Sequence, residues 1–190
     1  MIKVTIADVI AQQQGDREVH VVVLWDEATC RALPIWVGRA EGEAIALGLS
    51  KASIPRPMTY NFMAKLLEAA GAELEEVRIE ALKDFTFYAV AKLRSAGKVR
   101  EVDARPSDAI ALALRMNSPI YVAQELLEQH GMHIPAQGKN QLGKGIESLR
   151  EKREKQKRDD EQWLSAAQSR PEEVKEKAYQ ELLAFLLGSE

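Results

Sequence analysis

The chain has 190 residues, 46% of them hydrophobic and 29% charged, and a net charge of −3. That length allows one domain with a real core plus an appendage, and no apolar run approaches the roughly 18 residues needed to cross a bilayer as a helix, so no membrane role is expected. Residues 1–138 carry 15 Lys/Arg against 18 Asp/Glu and residues 139–190 carry 11 of each, a balance that excludes a basic polyelectrolyte and limits any contact with nucleic acid to a local, transient one.

The N-terminal MIKVTIADVIAQQQ alternates as a strand does and lacks the basic start, apolar block and cleavage site of a secretory signal. A single cysteine, Cys30, can form no internal disulfide, and a cytoplasmic location is expected. Residues 2–11 and 17–25 read as a hairpin across Gln13-Gln14-Gly15-Asp16. Asp26-Glu27-Ala28-Thr29 turns the chain into a strand over 31–37, where Pro34 suggests an edge position or a bulge. Gly38 ends that strand, and a helix over 41–50 follows without a conventional N-cap but with Glu41 and Glu43 near its positive end. Ile54-Pro55-Arg56-Pro57 is an extended connector, after which Thr59 caps a helix through Phe62, Met63, Leu66 and Leu67 that Gly71 closes.

Residues 73–83 and 85–94 alternate across a turn at Asp84, and Ser95-Ala96-Gly97-Lys98 turns into a strand that stops at Asp103. A helix then begins almost at once. Pro106 fixes its own φ, Ser107 is a favoured N-cap, and Asp108 falls in the first turn, facing the positive end of the macrodipole. Asn117-Ser118-Pro119 breaks this helix, and a short strand at 120–123 and a short helix at 124–129, stopped by Gly131, follow. From Lys139 a polar loop leads to a charged helix over 146–167 and then to an apolar stripe of Val174, Ala178, Leu182, Phe185 and Leu186 that needs a partner. The expected architecture is an α+β domain over 1–138, with mixed, largely antiparallel sheets and packed helices, followed by a charged helical extension over 139–190.

Residues 43–49 (EAIALGL) and 108–114 (DAIALAL) agree at five of seven positions, and each stretch follows a strand. Duplication of a strand–helix unit is one reading; chance agreement of two Ala/Leu helices is the other. Ala44 with Gly48, and Ala109 with Ala113, are spaced to allow close helix packing, which would bring the two corners together.

The chain contains no GxxxxGK[ST], GxGxxG, CxxC or HExxH motif. Of its three histidines, His20 sits in a strand as a packed or edge residue rather than a base, and His130 and His133 flank Gly131 near a helix end, a poor frame for a metal pair. What remains is a set of acids and arginines at the two corners: Glu41, Glu43, Asp103 and Asp108 beside Arg56 and Arg105. Hard divalent ions such as Mg²⁺ or Mn²⁺ prefer carboxylate oxygens, and arginine neutralises charge that grows on a phosphoryl group, so the set suits phosphodiester hydrolysis. The competing reading is salt-bridged scaffolding in a non-catalytic binding or assembly module whose C-terminal amphipathic helix docks a partner.

EVDARPSDAIALALR, with LPIWVGRAEGEAIALGL, RPMT and KDFTFYA, closely resembles the bifunctional nuclease domain family over roughly Ile2 to Gln129. The resemblance implies a compact α+β domain that self-associates, in the first instance as a dimer, and a nuclease activity, since plant relatives are credited with degrading both RNA and DNA. Glu41, Glu43, Arg56, Thr59, Asp103, Arg105, Ser107 and Asp108 match the family's usual pattern. The expected roles are Asp103 and Asp108 holding metal or activating water, Glu43 assisting, Arg56 and Arg105 gripping phosphate, and Glu41, Thr59 and Ser107 in support. Where family members commonly show His-Asp after an RPLT-like segment, this chain has Tyr60-Asn61, groups that ionise poorly at neutral pH.

Overall fold

The computed structural model describes residues 1–14, 17–50 and 55–134, with Lys144, Glu151, Lys155 and Arg158 beyond them. The chain divides into two compact units, Met1–Arg150 and Glu151–Glu190. The boundary expected at 138–139, the apolar stripe of the C-terminal extension and, apart from Glu151, Lys155 and Arg158, the charged helix lie outside the described residues, as does the Gly15-Asp16 turn.

The strands are β1 (Ile2–Gln14), β2 (Arg17–Asp26), β3 (Arg31–Gly38), β4 (Ala72–Lys83), β5 (Thr86–Ser95), β6 (Lys98–Ala104), β7 (Ile120–Val122) and β8 (Met132–His133). The helices are α1 (Arg39–Leu49), α2 (Thr59–Ala69), α3 (Pro106–Met116) and α4 (Gln124–His130). The strands form one eight-stranded sheet in the order β6-β5-β4-β7-β1-β2-β3-β8. Only β4 with β7 is parallel. The α+β class with a largely antiparallel sheet is thus as the sequence predicts.

The chain builds the same unit twice. β1–β2–β3 is an antiparallel meander that runs into α1, and β4–β5–β6 is another that runs into α3. β7 lies between them, antiparallel to β1 and parallel to β4, so the two meanders run in opposite senses. The echo between 43–49 and 108–114 therefore sits at equivalent places in two strand–strand–strand–helix units. Alternation explains the strands: Val22, Leu24, Leu33 and Ile35 face the core, while Val21, Val23, Trp25 and Ala32 make a smaller cluster on the other face. Two-residue turns join the second meander, with positive φ at Asp84 and Phe85 and again at Ala96 and Gly97. Phe85 therefore belongs to a turn rather than to β5, and it is fully exposed.

α3 is the centre of the molecule. Its Ala109, Ile110, Ala111 and Ala113 are buried, and it packs on α1, α2, β4 and β5. The small residues of α1 allow the approach expected from sequence: the Arg115 guanidinium lies over Gly48 and donates to the Ala44 carbonyl at 2.8 Å. On its other side α1 rests Gly42 directly on the buried His20 of β2. Pro34 lies on β3 beyond the two residues that β8 pairs, in keeping with the expected edge position.

The helix starts differ from expectation. Ser107 is not an N-cap: Pro106 occupies the first helical position, so Arg105, extended at φ −66 and ψ 141, is the cap residue and Ser107 is buried one step further in. Thr59 is likewise already helical, behind an extended Met58. α1 begins at Arg39, two residues earlier than predicted. None of these three starts has a side-chain cap hydrogen bond.

Candidate functional site

Four side chains from three helix starts meet at one corner. Arg105, at the β6–α3 turn, lies beside Asp108 in the first turn of α3; its Nε donates to Asp108 Oδ2 at 2.6 Å and its Nη2 to Asp108 Oδ1 at 3.0 Å. The same Nη2 reaches Glu41 Oε1 of α1 at 3.0 Å. Tyr60, at the start of α2, donates its hydroxyl to Asp108 Oδ1 at 2.7 Å. The Glu41 carboxylate occupies the space over Gly38, where a β-carbon would collide with it. The packing of α1 and α2 on α3 is what carries these groups together, and Arg105 is the tie between the two corners.

The electrostatics follow from that arrangement. Burial pushes the Asp108 carboxyl up, but the hydrogen bonds from Arg105 and Tyr60 and the Arg105 charge outweigh it and hold Asp108 below the usual carboxylate range. Burial, then the hydrogen bond to Asp108 and its charge, raise Tyr60 above the ordinary phenol value, so its hydroxyl keeps its proton. The Asp108 hydrogen bond and charge raise Arg105 further. The Arg105 side chain is still 67% exposed, and its Nη1 makes no hydrogen bond among the described residues. A cation is thus held by one edge and open along the other, a geometry suited to an anionic oxygen.

The other predicted site residues are elsewhere. Glu43 turns to Arg39, which donates Nε to Glu43 Oε1 at 2.9 Å and also approaches Glu18 at 3.7 Å. Asp103 pairs in register with Val90 and shares a strand face with Glu101, which bonds Arg78; Ala89 and Ala91, packed in the core, belong to the opposite face. The two-residue period of β6 therefore directs Asp103 away from the helix side on which Asp108 lies. Arg56 is exposed and has no ion pair among the described residues. Thr59 is exposed, and Ser107 is packed in the interior.

Among the described residues no three His, Cys, Asp or Glu side chains are grouped to hold a metal ion. Both oxygens of Asp108 and one of Glu41 are engaged by Arg105, so a cation there would have to displace a guanidinium already in place. The corner as arranged does not fit a divalent ion.

Sequence reasoning missed Tyr60 as a member of the site. Its signal is positional: Tyr60, Ala64 and Leu67 share one helical face, and that face packs inward. Arg39 was also missed, although its spacing to Glu43 is that of an i,i+4 pair.

Comparison with known proteins identifies relatives. A family model described as the bifunctional nuclease domain matches residues 22–135. An uncharacterized protein of Mycobacterium tuberculosis is 44% identical over 115 residues, 60% of this chain and 68% of that protein. A protein of Arabidopsis thaliana named bifunctional nuclease 1 is 28% identical over 122 residues, 63% of this chain and 38% of its own length. The protein of the same name from Oryza sativa subsp. japonica is 29% identical over 119 residues, 60% of this chain and 36% of its own. Among the described residues no helix is long and apolar enough to cross a membrane.

Proposed function

Because this chain belongs to the bifunctional nuclease domain family, we propose that it hydrolyses phosphodiester bonds in RNA, with DNA as a second substrate, and that the Arg105 corner is where phosphate binds. The observation that carries this reading is the state of Arg105: two of its nitrogens are fixed by Asp108 and Glu41 while the rest of the guanidinium is open to solvent. A planar fork held in advance loses little side-chain freedom on gripping a phosphate oxygen, and its charge opposes the negative charge that grows as water attacks phosphorus. Asp108 and Glu41 are positioning residues in this scheme, and Tyr60 keeps Asp108 turned toward Arg105.

The test is hydrolysis of single-stranded RNA and DNA oligonucleotides by purified protein, with Mg²⁺, Mn²⁺ or EDTA present, beside Arg105→Ala and Asp103→Asn. Wild type and Asp103→Asn are expected to cleave alike and Arg105→Ala to lose activity at least tenfold. Cleavage by Arg105→Ala at the wild-type rate would assign the activity to another site. A second reading, a non-catalytic module that docks a partner, is favoured by one observation: Met58, Phe62 and Leu66 form an exposed apolar ridge along α2. Absence of cleavage under all three metal conditions would select it.

A further inference from the structure

Trp36 is 60% exposed, although tryptophan is among the costliest side chains to leave in water. It stands on β3, past the two residues that β8 covers, and with Val19, Val37 and Gly38 it lines an open groove of about 440 Å³. Strand alternation puts Trp36 and Gly38 on the same face, about 7 Å apart along β3. Val19 is the register partner of Gly38 and supplies the apolar floor between them.

Gly38, at one end of the groove, is the last residue of β3 and the one before α1. The Glu41 carboxylate lies over that glycine, with Cδ 3.3 Å from where a β-carbon would be, and its Oε1 meets Arg105 Nη2 at 3.0 Å. The exposed indole is thus two residues along β3 from Gly38, and the carboxylate over Gly38 is the one that meets the half-open guanidinium. Any base has a π-face that stacks on an aromatic ring, whereas a base paired in a duplex is already stacked on both sides.

Resting on the nuclease reading of Arg105, we propose that Trp36 is a base-stacking subsite, and that the substrate class is single-stranded nucleic acid with an unpaired base on Trp36 and a neighbouring phosphate on Arg105. Trp36 acts in binding rather than in the bond-breaking step. Its removal raises KM and leaves kcat nearly unchanged. The high exposure of its ring also means that replacing it disturbs little of the fold.

The test measures binding of three labelled probes by fluorescence anisotropy: a phosphorothioate dT oligomer, a blunt duplex of the same length and an abasic oligomer with the same backbone. Wild-type protein is compared with Trp36→Ala, Trp36→Phe and Arg105→Ala, each checked for native circular dichroism. Trp36→Ala is expected to bind the dT oligomer about tenfold more weakly or worse, Trp36→Phe to recover most of the loss, and the abasic oligomer to bind wild type and Trp36→Ala equally. Equal binding of dT by wild type and Trp36→Ala, with a loss in Arg105→Ala, would overturn the Trp36 subsite and leave the phosphate site standing. Wild-type binding by Arg105→Ala would refute the phosphate site itself, and binding of no probe would overturn both.

Discussion

Gly42→Ala tests the approach of α1 to the sheet, on which the corner depends. A β-carbon at Gly42 would overlap Cβ and Cγ of His20 and come to 3.0 Å from its Cδ2, whereas carbon atoms rest roughly 3.5–4.0 Å apart. His20 is fully buried and its Cβ is fixed to the backbone of β2, so the clashing atoms cannot swing clear. α1 has to retreat by on the order of 1 Å, loosening the buried Ile45 and Ala46 and carrying Glu41 away from Arg105. Overpacking of this kind costs about 1–3 kcal/mol, while alanine gains about 1 kcal/mol over glycine in a helix interior. A net loss of roughly 1 kcal/mol, at most about 2, is expected, read as a lower urea midpoint at unchanged m-value. Gly48→Ala on the same helix is the control. There the β-carbon meets the far end of the Arg115 side chain, which can move aside by giving up its bond to Ala44; that loss of about 1 kcal/mol is offset by the helical gain, so stability should change by less than about 1 kcal/mol. If Gly42→Ala is as stable as wild type, or milder than Gly48→Ala, contact with His20 is not the reason for glycine at that position.

Tyr60→Phe removes a hydrogen bond to an ionised carboxylate and should cost about 1 kcal/mol at pH 7 after allowance for partial exposure. Asp108 is held below its ordinary value of 3.8 in the folded state, so the stability it contributes is present above that pH and lost as pH falls through its folded value; the wild-type advantage over Tyr60→Phe should shrink in urea titrations between pH 5 and 2, and a constant gap would contradict the arrangement. Glu41→Gln is expected to weaken phosphate binding several-fold by freeing one edge of Arg105, whereas Glu43→Gln, which meets only the exposed Arg39, should leave binding unchanged; equal effects in a binding titration would deny the distinction. Arg78 lies among Glu76, Glu80 and Glu101 on the outer sheet face. Arg78→Met should therefore destabilise by about 1 kcal/mol in dilute buffer and by less in 1 M salt, and a loss independent of salt would assign its role to packing.

The strands and the central helix were legible because their signals are local. Alternation in 73–83 and 85–94 fixes a hairpin, and the small and apolar residues of 109–113 can only be a buried helix. The cap residues were misread through propensity alone: proline at the first helical position already implies that the residue before it, Arg105, is the cap, whatever hydroxyl follows. Asp103 and Asp108 fall at one strand-to-helix corner of the sequence with four residues between them, yet a strand alternates faces, and Asp103, level with Val90 on β5, takes the face opposite the core residues Ala89 and Ala91. Tyr60 lies 48 residues from its partner Asp108, so the inward helical face it shares with Ala64 and Leu67 signals burial without naming the residue it meets. Arg39 and Glu43 were within reach of spacing rules once the helix is started at Arg39.

Between the two meanders the sheet is continuous only through β7, a strand of three residues bonded on each side. Each ribbon keeps its own long pairings whether or not that seam holds. The seam is therefore the natural place for the molecule to open first, and α3, wedged against α1 on one side and β4 and β5 on the other, is the bolt across it. Amide hydrogens of β7 should then exchange ahead of those in either ribbon, and loosening the start of α3 would separate the halves of the Arg105 corner without unravelling them.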